Sequence, residues 1–428
     1  MKLENESVDE SVAVLEEDIL PQQKFNIKKT FTALRYRNYR LWFFGQMTSL
    51  LGTWMQITAQ GFLVYDLTHS PLYLGYVGFA AGLPSWLFML YGGVIADRIP
   101  KRKVMIFTQT AMMILAAVLA VFSFLHIIQA WEIIGFAFLL GTANAFDAPS
   151  RISLVNELVD KKDLTNAIAL NATMFNIATA TGPAIAGIVY AIAGPAWCFT
   201  VNSISFIGII IALKMMHLDE TIPVKVRQSA FAEIKEGFRY IASNTVVKTL
   251  ILQVGIMSIF GMSFITLLPA WAVKILGGDS ATNGFLQSAR GVGALVSALG
   301  LASLGRFKFK GRLLTLGSII FPVMLFVFSF TTMLPLSLLL LFGTGLAQIL
   351  TMNLCNASVQ TLVPDELRGR VMGFYTFTFF GLMPLGALLM GTLAGHLGEP
   401  EAILICSTIT FIVAILILVF VPAIRKLK

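Results

Sequence analysis

The residues best suited to do work in this chain hold charge and polarity inside apolar segments. The turn at 93–103 opens on Gly93, reaches Asp97 and Arg98, and continues through Lys101, Arg102 and Lys103, between two long apolar runs. A glycine there lets two helices approach closely, and the acid can dock on a neighbouring cation or helix N-terminus. In the first apolar segment, Gln46, Ser49, Thr53, Gln56 and Gln60 fall within an arc of about 80° at 100° per residue. Such a stripe is either the wall of a wetted cavity or a set of interhelical hydrogen bonds. Gln253, Met257, Phe260, Phe264 and Trp271 fall within about 60°. That is an adaptable wall for a bulky apolar solute, or a packing stripe. Thr344, Gln348, Thr351 and Cys355 share one further face.

Charges inside the apolar segments are few. Asp147 and Arg151 are spaced to pair along a helix, as a gate or structural ion pair. The same acid is also a candidate for carrying a proton. Arg290 would cost about 3 kcal/mol at the centre of a membrane helix, so it should face the interior or snorkel outward, with Asp279 or Glu399 as partners. Neither Gly-x-Ser-x-Gly, His-Glu-x-x-His nor a phosphate-binding Gly-x4-Gly-Lys-Ser/Thr occurs. The reading is a non-enzyme that draws on a gradient and needs no cofactor. Cys198, Cys355 and Cys406 stand in separate apolar segments and the four histidines at segment ends, so no metal site is expected.

The elements that must position these groups are membrane helices. Of 428 residues, 57% are hydrophobic and 13% charged, where a soluble domain carries roughly 25% charged residues. Apolar runs of about 20 residues suit helical spans, and the short alternating segments of a membrane barrel do not occur. Twelve spans are expected, at 39–66, 72–95, 104–126, 131–150, 166–192, 197–216, 247–273, 283–304, 313–332, 334–358, 370–394 and 401–422. Of 31 lysines and arginines, all but Lys274 and Arg290 fall on the side that holds both termini, which makes that side cytoplasmic. The net charge of +8 is therefore a topology signal, scattered too widely for nucleic acid. Residues 1–30 form an acidic leader expected to be disordered, with no cleavable signal peptide.

The chain looks duplicated. Leu158, Val159 and Asp160 are echoed by Leu362, Val363 and Asp365, Gly93 by Gly300, and Pro183 by Pro384, at nearly one offset. Two six-helix bundles follow, at 31–216 and 247–424, with a linker at 217–246 and a basic tail at 425–428. In the linker, Phe231, Ile234, Phe238 and Ile241 recur at helical spacing opposite Glu233, Lys235, Glu236 and Arg239. The expectation is an amphipathic helix on the membrane surface that tethers the halves.

These residues resemble the major facilitator superfamily over roughly 30–424. The turn at Gly93, Asp97, Arg98, Lys101 and Arg102 is similar to the superfamily's loop 2–3 motif, with Pro100 where glycine is usual. The second copy, after Gly300, keeps its cations but has Leu304 in the acid's place. The resemblance implies that Asp97 docks near the eleventh span and steadies the outward-facing state. Ala169, Ala178, Gly182, Pro183, Ala186 and Gly187 resemble the superfamily's span-five antiporter motif, which goes with export. The run from Gly141 through Asn144 and Asp147 to Pro149, with Arg151, resembles the drug and siderophore exporters that include macrolide and enterobactin exporters. Where many proton-coupled drug antiporters carry an arginine in span four, this chain has Asn144.

The expected fold is thus an all-α membrane protein of two pseudo-symmetric six-helix bundles. The expected function is export of an amphipathic small molecule across a bacterial cytoplasmic membrane by alternating access, as a monomer in the lipid bilayer, with protons as the coupling ion. A facilitator, importer or lipid flippase on the same fold is one alternative, and a non-transporting receptor or scaffold another.

Overall fold

The computed structural model describes residues 31–217, 230–304 and 309–427, and leaves out the side chains at 89, 90, 94, 96, 97 and 230–234. The acidic leader, Asp97 as a docking acid, the Phe231, Ile234 and Glu233 positions, Arg306 and the terminal Lys428 therefore lie outside the described residues. Among those described, every regular element is helical. The long helices are α1 (Arg37–Thr68), α2 (Pro71–Arg98), α3 (Lys101–Phe124), α4 (Ala130–Leu158), α5 (Leu164–Ala193) and α6 (Pro195–Met215). After a linker helix, Ala230–Ser243, come α7 (Thr245–Ile275), α8 (Ser280–Ser303), α9 (Lys310–Phe328), α10 (Leu334–Leu362), α11 (Asp365–Leu397) and α12 (Glu399–Phe420). Nine of these are long and apolar enough to cross a membrane, among the described residues. The other three, α1, α2 and α4, have 32, 28 and 29 residues.

Local chemistry sets the turns between them. Gly194 ends α5 at φ 87° and Pro195 opens α6, and Gly398 ends α11 at φ 106° just before α12. Glycine accepts the left-handed conformation that ends a helix, and proline at the first turn gives up only a donor already without a helical partner. At the start of α8 the Asp279 carboxylate accepts from the Thr282 amide at 3.0 Å. It serves as a cap and is not a partner for Arg290.

Each half has its own apolar core. Trp42, Leu154, Met174 and Phe206 fill the N-terminal half toward the termini, and Leu63, Leu119, Ile133 and Phe199 fill it at the far end. Phe264, Trp271, Phe321 and Phe328 fill the C-terminal half, with the Trp271 and Phe328 rings stacked at 4.5 Å. At the termini face, Lys101 in the α2–α3 turn forms an ion pair with Glu157 at the end of α4. Arg102 donates to the Lys214 carbonyl at the end of α6 at 3.0 Å. Tyr36 donates to Asp163 at 2.8 Å and Asp160 at 2.9 Å, and those carboxylates hold its phenol well above the usual range. The cationic turn and the Lys161–Lys162 loop thus share one face.

The halves meet along two helix pairs at the far face, α2 with α11 and α5 with α8. In the first, Gly75 lies against Gly391, Gly78 against Ala387 and Gly82 against the Pro384 ring. In the second, Gly187 lies against Ala281 and Gly284 against the Pro183 carbonyl. The echoed prolines, Pro183 and Pro384, thus occupy corresponding seams. Small residues let these backbones touch.

One local expectation is corrected. Gly93 is not the close-packing glycine: a Cβ there would meet nothing within 4 Å. Its neighbour Gly92 faces α4, where a Cβ would crowd the Ala145 carbonyl. Which of two adjacent glycines faces a neighbour depends on helix rotation. The linker helix, in turn, docks partly on protein. Glu236, on the polar face, pairs with Arg370 near the start of α11. Phe238 meets the Phe374 ring at 6.2 Å, and Tyr240 donates to the Leu362 carbonyl at 3.2 Å.

Candidate functional site

The polar stripe of α1 turns inward, within the N-terminal half. Ser49 reaches Gln109 of α3 at 3.4 Å, Gln56 accepts from Asn202 of α6 at 2.6 Å, and Gln60 donates to the Ile133 carbonyl of α4 at 3.1 Å. Gln46 is buried as well, and Thr53 bonds its own helix at Ser49. This placement supports interhelical hydrogen bonding over a cavity wall, because a buried amide sits where its polar atoms find partners. Another face of α1 looks toward the other half through Thr58. Thr58 contacts Gln287 of α8 at 3.3 Å.

The stripe on α7 is likewise core. Phe264 and Trp271 are fully buried, Met257 nearly so, and Phe260 packs against the same cluster. Gln253 is buried and donates to Ser318 of α9. The 60° arc assumed a regular helix, yet α7 is π-helical at Met257–Gly261 and Trp271–Ile275 and 3₁₀ at Met262–Leu267. Each change of winding rotates the residues beyond it, so spacing at 100° per residue no longer selects one face. On α10, Thr344, Thr351 and Cys355 are buried, and Gln348 alone meets a charge.

Some predicted residues do converge on the boundary between halves. Asn144 stands apart from them, exposed on α4 about 20° around the helix from Arg151. Gly182 approaches α1, where a Cβ would come 2.7 Å from Trp54 Cβ, and the adjacent Pro183 carbonyl faces α8. Gly182 and Pro183 therefore sit at a junction of α1, α5 and α8. Arg290 is 8% exposed, and its Nη1 reaches the Gln348 side-chain oxygen at 3.4 Å. Glu399, the other expected partner, is taken by Lys274 at 2.9 Å.

Asp147 is fully buried. Its Oδ1 accepts from Thr108 at 2.8 Å and Gln109 at 3.0 Å, both on α3. Its Oδ2 has no hydrogen bond and lies 3.9 Å from Arg151 Nε. The ion pair expected from spacing is present, with one oxygen left open. Of the cationic turn, Lys101 and Arg102 are held by Glu157 and Lys214, and Arg98 is exposed.

Several further aromatic and polar contacts carried no pattern in the sequence. Trp54 and Phe175 meet edge to face at 5.8 Å, with Phe175 47% exposed. Trp86 of α2 donates to the Gly381 carbonyl of α11 at 2.6 Å. Asn283 and Gln287 join the polar face of α8. Lone aromatics in apolar spans look the same whether they face lipid, core or cavity, and no sequence signal distinguishes them.

The comparisons with known proteins match this geometry. The profile of the transmembrane secretion effector family matches residues 28–427. The chain is 26% identical over 381 residues to the staphyloferrin A transporter of Staphylococcus aureus, covering 88% of this chain and 94% of that one. It is 25% identical over 393 residues to the multidrug efflux pump Tap of Mycolicibacterium fortuitum, covering 90% and 95%. It is 24% identical over 408 residues to the enterobactin exporter EntS of Escherichia coli O81, covering 91% and 93%. Among solved structures, a POT family transporter in complex with 5-aminolevulinic acid superposes with a TM-score of 0.72 at 11% identity, over 91% of this chain and 97% of that one. The nucleoside transporter NupG superposes at 0.68 with 13% identity, over 91% and 100%. A multi-pass helical membrane protein without enzyme chemistry, matched along nearly its whole length, this chain belongs to the transmembrane secretion effector family of major facilitator superfamily transporters.

Proposed function

We propose that this transporter exports an amphipathic small molecule, by rocking one half against the other around the boundary where Trp86, Pro183, Gln287 and Arg290 stand. The single observation that carries this is the location of the inter-half contacts. They lie in the far part of α2 with α11 and of α5 with α8, so the space between the halves opens toward the termini face. Under the basic-residue rule that face is cytoplasmic, and the conformation accepts solute from inside. Twelve crossings with both termini inside, halves at 31–216 and 247–424 and a monomer in the membrane complete the reading.

Aromatic rings from the N-terminal half and amide and guanidinium groups from the C-terminal half suit a solute with an apolar body and a polar end. The relatives named as exporter and efflux pump support outward movement, and Gly182 with Pro183 at a moving seam supports it too. Protons are the proposed coupling ion, with Asp147 as the carrier.

Transport into inside-out vesicles with an imposed lumen-acid pH gradient tests the proposal. Accumulation of at least one amphiphile from a drug and siderophore panel, collapsing when the gradient is removed, is expected. Movement only down the solute's own gradient would leave a facilitator. Movement in the reverse direction would leave an importer, and no movement of any compound would leave a receptor or scaffold.

A further inference from the structure

Within the transport reading above, we propose that Arg290, together with Asn283, binds a carboxylate of the transported solute at the boundary of the two halves. At about 100° per residue, Asn283, Gln287, Arg290 and Ser297 fall within about 80° on α8. On one side of that arc, Gly284 and Gly291 pack on α5, where a Cβ at Gly291 would come 2.6 Å from Ala180 Cα. On the other side, Gly293 packs on the Phe342 carbonyl of α10. The polar arc therefore looks into the crevice between α10 and α1, where Gln287 meets Thr58 of the opposite half at 3.3 Å.

The groups in this crevice are rich in donors. Arg290 has five N–H groups, and the protein supplies one long acceptor, Gln348 Oε1 at 3.4 Å. Its Nε has no partner, and no acid pairs with it among the described residues. The Asn283 side-chain Nδ2, fully buried, also has no partner, because its Oδ1 alone is used, by Gln287 at 3.1 Å. Arg290 and Asn283 lie two turns apart on the same face, each more than nine-tenths buried.

A guanidinium in a membrane helix is costly unless paired. Here the unpaired atoms are donors beside a positive charge. Their complement is an anionic oxygen pair, and a carboxylate fits the guanidinium edge through two parallel N–H bonds. A cation is excluded by the charge, and a neutral amphiphile would leave the Nε donor unmet. The solute class is thus narrowed to amphiphiles bearing a carboxylate.

The test uses the full-length purified protein and two fluorescent probes of one shape, 1-pyrenebutyrate and 1-pyrenebutanol, with energy transfer from tryptophan reporting binding. The wild type is expected to bind the acid about ten-fold more tightly than the alcohol, a difference near 1.4 kcal/mol. Arg290→Gln removes the preference, and Arg290→Lys keeps part of it. Gln348→Glu supplies an internal counter-ion and so also removes the preference, without leaving a buried charge unpaired. Equal binding of the two probes by wild type, or a preference kept by Arg290→Gln, overturns the proposal. Vesicle transport of the same probes separates this from the broader reading: movement without charge preference sinks the carboxylate site alone, whereas absence of movement for every amphiphile sinks the transport reading.

Discussion

Trp86 of α2 donates its indole hydrogen to the Gly381 carbonyl of α11 at 2.6 Å, the cross-half hydrogen bond nearest the termini face. Farther out, Gly82, Gly78 and Gly75 run along Pro384, Ala387 and Gly391. Contacts made by small residues and backbone need little side-chain rearrangement to separate. A seam of this kind is suited to opening as one unit, as the proposed alternating access requires.

The seam can be locked. A Cβ at Gly395 would lie 3.7 Å from Leu72 Cβ, within disulfide range. The pair Leu72→Cys and Gly395→Cys is expected to cross-link on mild oxidation, to stop vesicle transport, and to regain it on reduction. The native cysteines are buried and should not interfere. Adding Gly82→Leu, which clashes with Pro384, should lower the cross-linking yield several-fold, read on a non-reducing gel. An unchanged yield would mean that α2 and α11 do not separate there.

Glu399 opens α12 fully buried and is satisfied by Lys274, at 2.9 and 3.3 Å. Lys274→Met strands a carboxylate and should cost about 2 kcal/mol, seen as a lower apparent melting temperature in detergent. Glu399→Gln should cost less, since an amide oxygen still accepts from the lysine. The double variant should recover much of the Lys274→Met loss, because neither ion is then left without its partner. Additive losses would contradict the pairing.

Gln56 and Asn202 form an interhelical tie at 2.6 Å. Gln56→Leu should therefore lower stability by about 1–2 kcal/mol while leaving the rank order of exported compounds unchanged. A changed rank order across the panel would return this stripe to the cavity wall.

The stripe shows where reading the sequence works and where it stops. Apolar runs, basic-residue bias and the echoed Pro183 and Pro384 are properties of whole segments, and they led directly to a helical membrane protein of two halves. The Asp147–Arg151 pair was legible because both residues sit on one helix at pairing distance. The facing of a stripe depends on neighbours remote in sequence. Ser49, Gln56 and Gln60 could line a cavity or tie helices until Gln109, Asn202 and Ile133 were in place. On α7 the period itself changed with the π and 3₁₀ segments, so no fixed angle could serve. Before the cationic turn, Gly92 and Gly93 differ only by a rotation of one residue. Asn144, by contrast, stands 204 residues before Gln348, close to the offset of the duplicated loops, so the two halves present amides at matched positions.

Asp147 offers the last and sharpest test. Its Oδ1 is occupied by Thr108 and Gln109, and its Oδ2, buried and without a hydrogen bond, faces Arg151 at 3.9 Å. Asp147→Ala would leave the buried Gln109 amide without its acceptor, at about 1–3 kcal/mol, while Thr108 keeps the Val104 and Met105 carbonyls of its own helix. Asp147→Asn keeps an acceptor for both and should fold. It cannot gain or lose a proton, so its export should continue down a solute gradient but lose stimulation by a lumen-acid pH gradient. Thr108→Val, which removes one donor while keeping the carboxyl, should retain that stimulation. If Asp147→Asn accumulates solute against a gradient as wild type does, the carboxyl is an ion-pair partner for Arg151 alone, and the proton must enter elsewhere.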